Sequence, residues 1–259
     1  MINISVEYRS LFLFKRRINS VVPTGWNELS EKQFMAISRI VNGADPDLRF
    51  MSVLTGVPEK LLKKLSQFTM LQLTENIDFI TKAGNLHTAF IIKEIKYGNE
   101  KLIAPKPKLD SLTFGQFIFA DAYYTRWMKA RSEPGDQPAN TDQLLNNLIA
   151  TLYLTEGHLF TSDTIETRSL GISGTDDDMR KAIGLNFGLV MVWLQKSYPL
   201  IFREPAPSDQ PAVQGNSAWL NLFESMVADD LINRDRYAEL PIHTVLRHLT
   251  RKYKENARH

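Results

Sequence analysis

The stretch from Leu109 to Arg131, LDSLTFGQFIFADAYYTRWMKAR, decides how the rest of the chain is read. It is the densest aromatic segment in the protein. Its pattern predicts a helix that is apolar on nearly every face, and such a helix sits inside a domain with other elements against it. Thr113 is a natural N-cap, and Gln116, three residues on, can reach back to the cap amide as a capping box. Leu112 and Phe117 stand where a hydrophobic staple closes. Stepping about 100° per residue from Phe114 brings Phe117, Ile118, Tyr124 and Met128 to one side, with Asp121 among them. A carboxylate there is costly without a partner. Asp121 is therefore a candidate buried polar site. It reads either as a perturbed acid in a pocket or, more plainly, as a carboxylate bonded to a Tyr hydroxyl, an Arg or a neighbouring helix end.

Working outward, residues 2–22 look extended: Ile2, Ile4 and Val6 alternate with Asn3, Ser5 and Glu7 before Pro23 and a Thr24-Gly25 turn. Ser30 opens a helix with Gln33 at the box position. A second helix is expected from Asp45-Pro46, a short one over 58–65, and a third capped helix from Thr69, with Gln72 as box partner, to about Lys82. The motif hydrophobic-[ST]-x-x-Q-hydrophobic thus occurs three times, as LSEKQF, FTMLQL and LTFGQF. Common capping chemistry accounts for it better than an internal repeat. The segment 88–104 reads as a β-hairpin turning at Gly98-Asn99, with the N-terminal strands as its natural partners.

Beyond Arg131, SEPGDQPANTD is expected to be an exposed loop, followed by a helix from Asn140 or Thr141 to about Leu154. Residues 156–173 are read as a loop or short hairpin. Asp176-Asp177-Asp178 then suits the positive end of a helix running to about Ser197. These acids lack the alternating ligand spacing of a calcium loop. EPAPSDQPAVQGNS, residues 204–217, is the clearest linker. After it come a helix carrying Trp219 and Phe223, capped by Ser217, and a last helix from Pro241. The expected fold class is mainly α (α+β), a multi-helix body with a small antiparallel sheet from the N-terminal strands and the hairpin near 88–104. The expected domains are a body over 1–203, the linker 204–217 and a C-terminal helical hairpin over 218–259.

Composition narrows function mostly by exclusion. The 259 residues are 43% hydrophobic and 23% charged, ordinary for a globular protein. With no cysteine there is no disulfide, thiol nucleophile or Cys-ligated metal. The net charge of +2 announces no nucleic-acid footprint. The N-terminus has its charges after the apolar run and does not read as a signal peptide. The longest apolar stretch, Leu185 to Leu194, is broken by Asn186 and Gly188 and is too short for a bilayer. A cytoplasmic protein without membrane contact is expected.

Gly171-x-x-Gly174 lacks the strand before it and the Lys-Ser/Thr after it that a phosphate loop needs. There is no G-x-S-x-G elbow and no H-E-x-x-H. The five histidines are scattered; His243 and His248 share no helical face. No catalytic residue, cofactor or metal site is nominated, which argues against an enzyme. What remains is a surface: Trp219, Phe223, Arg247, Arg251, Lys252 and Lys254 are the candidate interaction residues. Their basic end reads as phosphate binding or, more simply, as cations at the negative end of a helix dipole.

At LSEKQF (29–34), LTFGQF with FADAYY (112–124) and WLNLFESMVADD (219–230), the sequence resembles a group of mostly helical tailed-phage and prophage proteins associated with the tail tube and tape-measure region. The resemblance implies tail morphogenesis, as an assembly chaperone or a minor structural component, with tail or tape-measure proteins as partners. It carries over no functional residue. The main alternative is a nucleic-acid-associated protein using the basic C-terminal helix. A hydrolase built round Asp121 stands third.

Overall fold

A computed structural model describes residues 1–10, 14–45, 47–75, 78–80, 88–132, 138–202, 218–228 and 230–256. The fold is mainly α with two small antiparallel sheets. The chain forms two compact units, Met1–His87 and Thr88–His259.

In the first unit, β1 (Ile2–Ser10) pairs antiparallel with β2 (Phe14–Val22), in register from Ile2 opposite Val22 to Ser10 opposite Phe14. Among the described residues, the α-helices that follow are α1 (Glu31–Val41), α2 (Leu48–Thr55), α3 (Glu59–Leu62) and α4 (Gln67–Glu75). Ser30 caps α1 with the full box expected of it, Ser30 and Gln33 satisfying each other's amides. Trp26 meets the rings of Phe34 and Phe79 edge-on, over a core of Val22, Ile37, Leu54 and Val57. Two expectations are corrected here. Asp47, not Asp45, caps α2, accepting from the Phe50 amide at 2.7 Å. Ser66 rather than Thr69 opens α4, accepting from the Thr69 amide at 3.2 Å, and α4 ends at Glu75. Thr69 therefore lies inside the first turn, where its hydroxyl bonds back to Ser66 at 2.9 Å.

The second unit is built round α5 (Phe114–Ser132), the stretch that opened the sequence reading. Phe114, Phe117, Ile118, Ala120 and Trp127 are buried, whereas Phe119 and Met128 are exposed, so the helix is not enclosed on every face. Thr113 does cap it, accepting from the Gln116 amide at 3.2 Å. The side chain of Gln116 does not turn back to complete the box. It donates at 2.7 Å to the carbonyl of Thr151, in the last turn of α6 (Pro138–Leu152). Carbonyls in a last helical turn lack partners within their own helix. A buried one draws a buried amide donor more strongly than a cap amide does. The adjacent carbonyl of Ala150 is met by Arg168 at 2.6 Å.

Arg168 lies on α7 (Ile165–Ile172), in the segment expected to be loop or hairpin. Threonines at 161, 164 and 167 weaken the helical signal there, but Ile165 and Ile172 are buried and hold the helix. α8 (Asp177–Ser197) starts on Asp176, which accepts from the Met179 amide at 3.1 Å. Asp177 pairs with Arg180 and Lys181. The acidic run thus serves a helix start.

The hairpin forms with β3 (Glu94–Tyr97) and β4 (Glu100–Ile103) about a turn at Gly98, whose φ of 58° glycine adopts without cost. Its third strand is β5 (Leu154–Thr155), not β1 or β2 as expected. The reason is local: α6 ends at Leu152 and delivers Leu154 to the edge of β4, opposite Ile103. Upstream of β3, Asn186 of α8 substitutes for a strand partner. Its Oδ1 accepts from the Ile91 amide at 2.8 Å and its Nδ2 donates to the Ala89 carbonyl at 3.0 Å. Tyr153 donates to the Ile92 carbonyl at 2.5 Å.

The chain closes with α9 (Ala218–Val227), α10 (Arg234–Glu239) and α11 (Ile242–Asn256). The expected boundary before residue 218 is not seen. Trp219 meets Phe114, Phe117 and Phe202 edge-on, so the C-terminal helices share the core of the second unit. The starts of α5 and α11 are also joined. Thr113 bridges Pro241, the Phe114 amide donates to Leu240 at 2.7 Å, and the Ile242 amide donates to Leu112 at 3.1 Å. The linker 204–217, the Ser217 cap, Pro46 and residues 133–137 of the loop expected after Arg131 lie outside the described residues. The last part of that expected loop, 138–142, is already helix, because α6 starts at Pro138, a residue suited to a first helical turn.

Candidate functional site

The six residues proposed from sequence as an interaction surface divide into two sets. Trp219 is 9% exposed and Phe223 6%, both held against Phe114. Arg234 lies over the Phe223 ring at 5.8 Å. These two aromatics are core, because α5 presents a matching set of rings that sequence spacing does not reveal. Arg247, Arg251, Lys252 and Lys254 are exposed along α11. Arg251 reaches Glu255 and His248 only at 3.9 and 3.4 Å. Lys252 and Lys254 have no carboxylate partner among the described residues.

What the structure adds is a groove of about 470 Å³ between α9 and α11. Leu222 and Met226, one turn apart on α9, face Leu249 and Tyr253, one turn apart on α11. His248, Lys252 and Asn256 supply the polar edge on successive turns, and Tyr237 of α10 also lines it. Tyr253 is 52% exposed, an aromatic ring that the fold leaves in water. No carboxylate belongs to the lining. The amphipathic spacing of both helices was readable in the sequence. The signal missed was that burying Trp219 and Phe223 turns the next strip of α9, Leu222 and Met226, toward solvent.

Asp121 is half-buried, and burial pushes its carboxyl from 3.8 up to about 6. The partner expected for it, a hydroxyl, an Arg or a helix end, is not found among the described residues, where no hydrogen bond or ion pair reaches its carboxylate. Burial alone accounts for the shift.

A second polar cluster forms around His243 at the start of α11. Its Nε2–H donates to the carbonyl of Lys108 at 2.7 Å, and its Nδ1 lies 2.8 Å from the Tyr198 hydroxyl. Asp110 lies 3.4 Å from Nε2, and the Trp193 ring stands edge-on. Burial pushes the Tyr198 phenol above its usual range. Lys108 and Leu109 both have left-handed backbones, φ 63° and 64°. His243 therefore pins a strained turn. Both ring nitrogens are engaged, so the imidazole serves as a structural clasp. Sequence spacing gave no hint of it, since its partners come from two segments far from it in the chain, the turn at 108–110 and the end of α8.

No group of three or more His, Asp or Glu among the described residues is placed to share a metal ion. No described helix is long and apolar enough to cross a membrane. Comparison with models of known families, with curated proteins and with solved structures gives no match for this chain.

Proposed function

We propose that the protein is a non-enzymatic interaction protein that helps build a larger assembly, binding other proteins through the groove between α9 and α11. One observation carries this reading: an open, helix-walled groove with Met226 and Tyr253 turned to it. Methionine and tyrosine give adaptable apolar area together with a polar handle, the chemistry of protein-binding surfaces. The resemblance over 29–34, 112–124 and 219–230 makes phage or prophage tail morphogenesis the setting. There the protein would act as an assembly chaperone or a minor component alongside tail or tape-measure proteins.

The test is affinity capture with the full-length chain from an infected or lysogenic cell, followed by mass spectrometry. Tail proteins should be recovered with wild type and lost with Tyr253→Ala. Recovery of nothing beyond background would remove the interaction role, and recovery of non-tail proteins would remove the phage setting.

A further inference from the structure

The groove's chemistry says more about its occupant. Its walls are two helices: Leu222 and Met226 stand one turn apart on α9, and on α11 the exposed Tyr253 stands one turn beyond the buried Leu249, which forms the floor. Ridges with that spacing accept the ridge of a third helix laid alongside them, with anchors at i and i+4. An extended peptide has a repeat of two residues and does not match walls spaced by a helical turn.

Charge supplies the second constraint. Lys252 and His248 line the groove with no carboxylate in its lining, Arg251 stands beside His248 on α11, and Lys254 points from the far side of that helix. Between Arg247 and Asn256 the only acid is Glu255. An occupant carrying carboxylates beside its apolar stripe would meet this edge favourably, and a basic one would be repelled.

Resting on the interaction role proposed above, we infer that the α9–α11 groove receives an acidic amphipathic helix from a partner protein, its aliphatic stripe between Met226 and Tyr253 and its carboxylates on Lys252.

The test uses the full-length chain and three fluorescein-labelled probes. The first is a designed helical peptide with leucines at i and i+4 on one face and glutamates elsewhere. The second is the same peptide with lysines for glutamates. The third is a single-stranded oligodeoxynucleotide. The acidic peptide should bind, weakening as salt rises, and the lysine peptide should not. Lys252→Glu and Tyr253→Ala should each weaken it about tenfold, one removing the charge contact and the other the anchor. Both positions are exposed, so unchanged thermal unfolding of each variant shows that folding is intact.

Equal binding of both peptides overturns the inference, as does binding untouched by either substitution. A tighter grip on the oligonucleotide replaces it with phosphate recognition. A dimer in sedimentation equilibrium that Tyr253→Ala splits would assign the groove to a second copy. If the acidic peptide fails while affinity capture still recovers tail proteins, the interaction role stands and only the groove's occupant is wrong.

Discussion

Single residues in the second unit hold more than their neighbours do. Asn186 satisfies both an amide and a carbonyl of the segment before β3, at Ile91 and Ala89. Replacing it by Ala leaves the buried Ile91 amide unpaired and strips the half-buried Ala89 carbonyl of its donor, so the loss should be about 1–3 kcal/mol by chemical denaturation. Asp121 acts in the opposite direction. Its carboxyl is raised from 3.8 to about 6 on folding, so the folded state binds the proton more tightly than the unfolded one. Its contribution is present below the unfolded value and is lost as pH rises through about 6. Asp121→Asn should therefore raise stability at pH 7 by about 1–3 kcal/mol and change it little at pH 4. Denaturant titrations at the two pH values decide it, and an Asn variant no more stable at pH 7 would point to an ion pair holding the carboxylate. The helical wheel had placed Asp121 toward the apolar side of α5, and that much was legible. Its lack of a partner was not, because partners are a property of the assembled core.

At the scale of elements, α5 and α8 pack closely enough to set what their contact positions tolerate. A Cβ on Gly188 would lie 2.3 Å from the Tyr124 hydroxyl oxygen, and the next Tyr124 atom, Cζ, is at 3.2 Å. Gly188→Ala should cost about 1–3 kcal/mol through this overlap, although alanine favours a helix. Combining it with Tyr124→Phe removes the nearest atom and should recover most of that loss, a non-additivity that a double-mutant cycle measures. Element boundaries were readable wherever side chains close to the chain end carried them. Ser30 with Gln33 capped α1 as its sequence states, and Gly98 turned the hairpin. The readings failed where a distant group won. Gln116 left its own cap for the last turn of α6, and β4 took its partner from the chain leaving that helix. Local motifs state what a side chain can do, and the buried carbonyl at Thr151 decided what this one does.

At the scale of the whole molecule, the mainly α class followed from helical periodicity, but the division of the chain did not. Polar, Pro-rich residues 204–217 look like a boundary, yet the rings of Phe114, Phe117, Trp219 and Phe223 put both sides of that stretch into one core. A chain ending at residue 217 should lose the cooperative unfolding of the second unit, seen as a missing calorimetric transition. An unchanged transition would restore the view of α9 to α11 as an independent tail. The candidate groove was half legible: the basic face of α11 showed in the sequence, but the strip of α9 beside it depended on which side of that helix the core took. The bridge from Thr113 to Pro241 bears on synthesis as well as on stability. During translation the first unit has all its residues early and can settle while the ribosome is still at work. The second cannot, because the Phe114 amide finds its acceptor, at Leu240, only after about 125 further residues have been made. Until that moment its most aromatic helix is without part of its cover, and the half-made second unit exposes rings that invite aggregation.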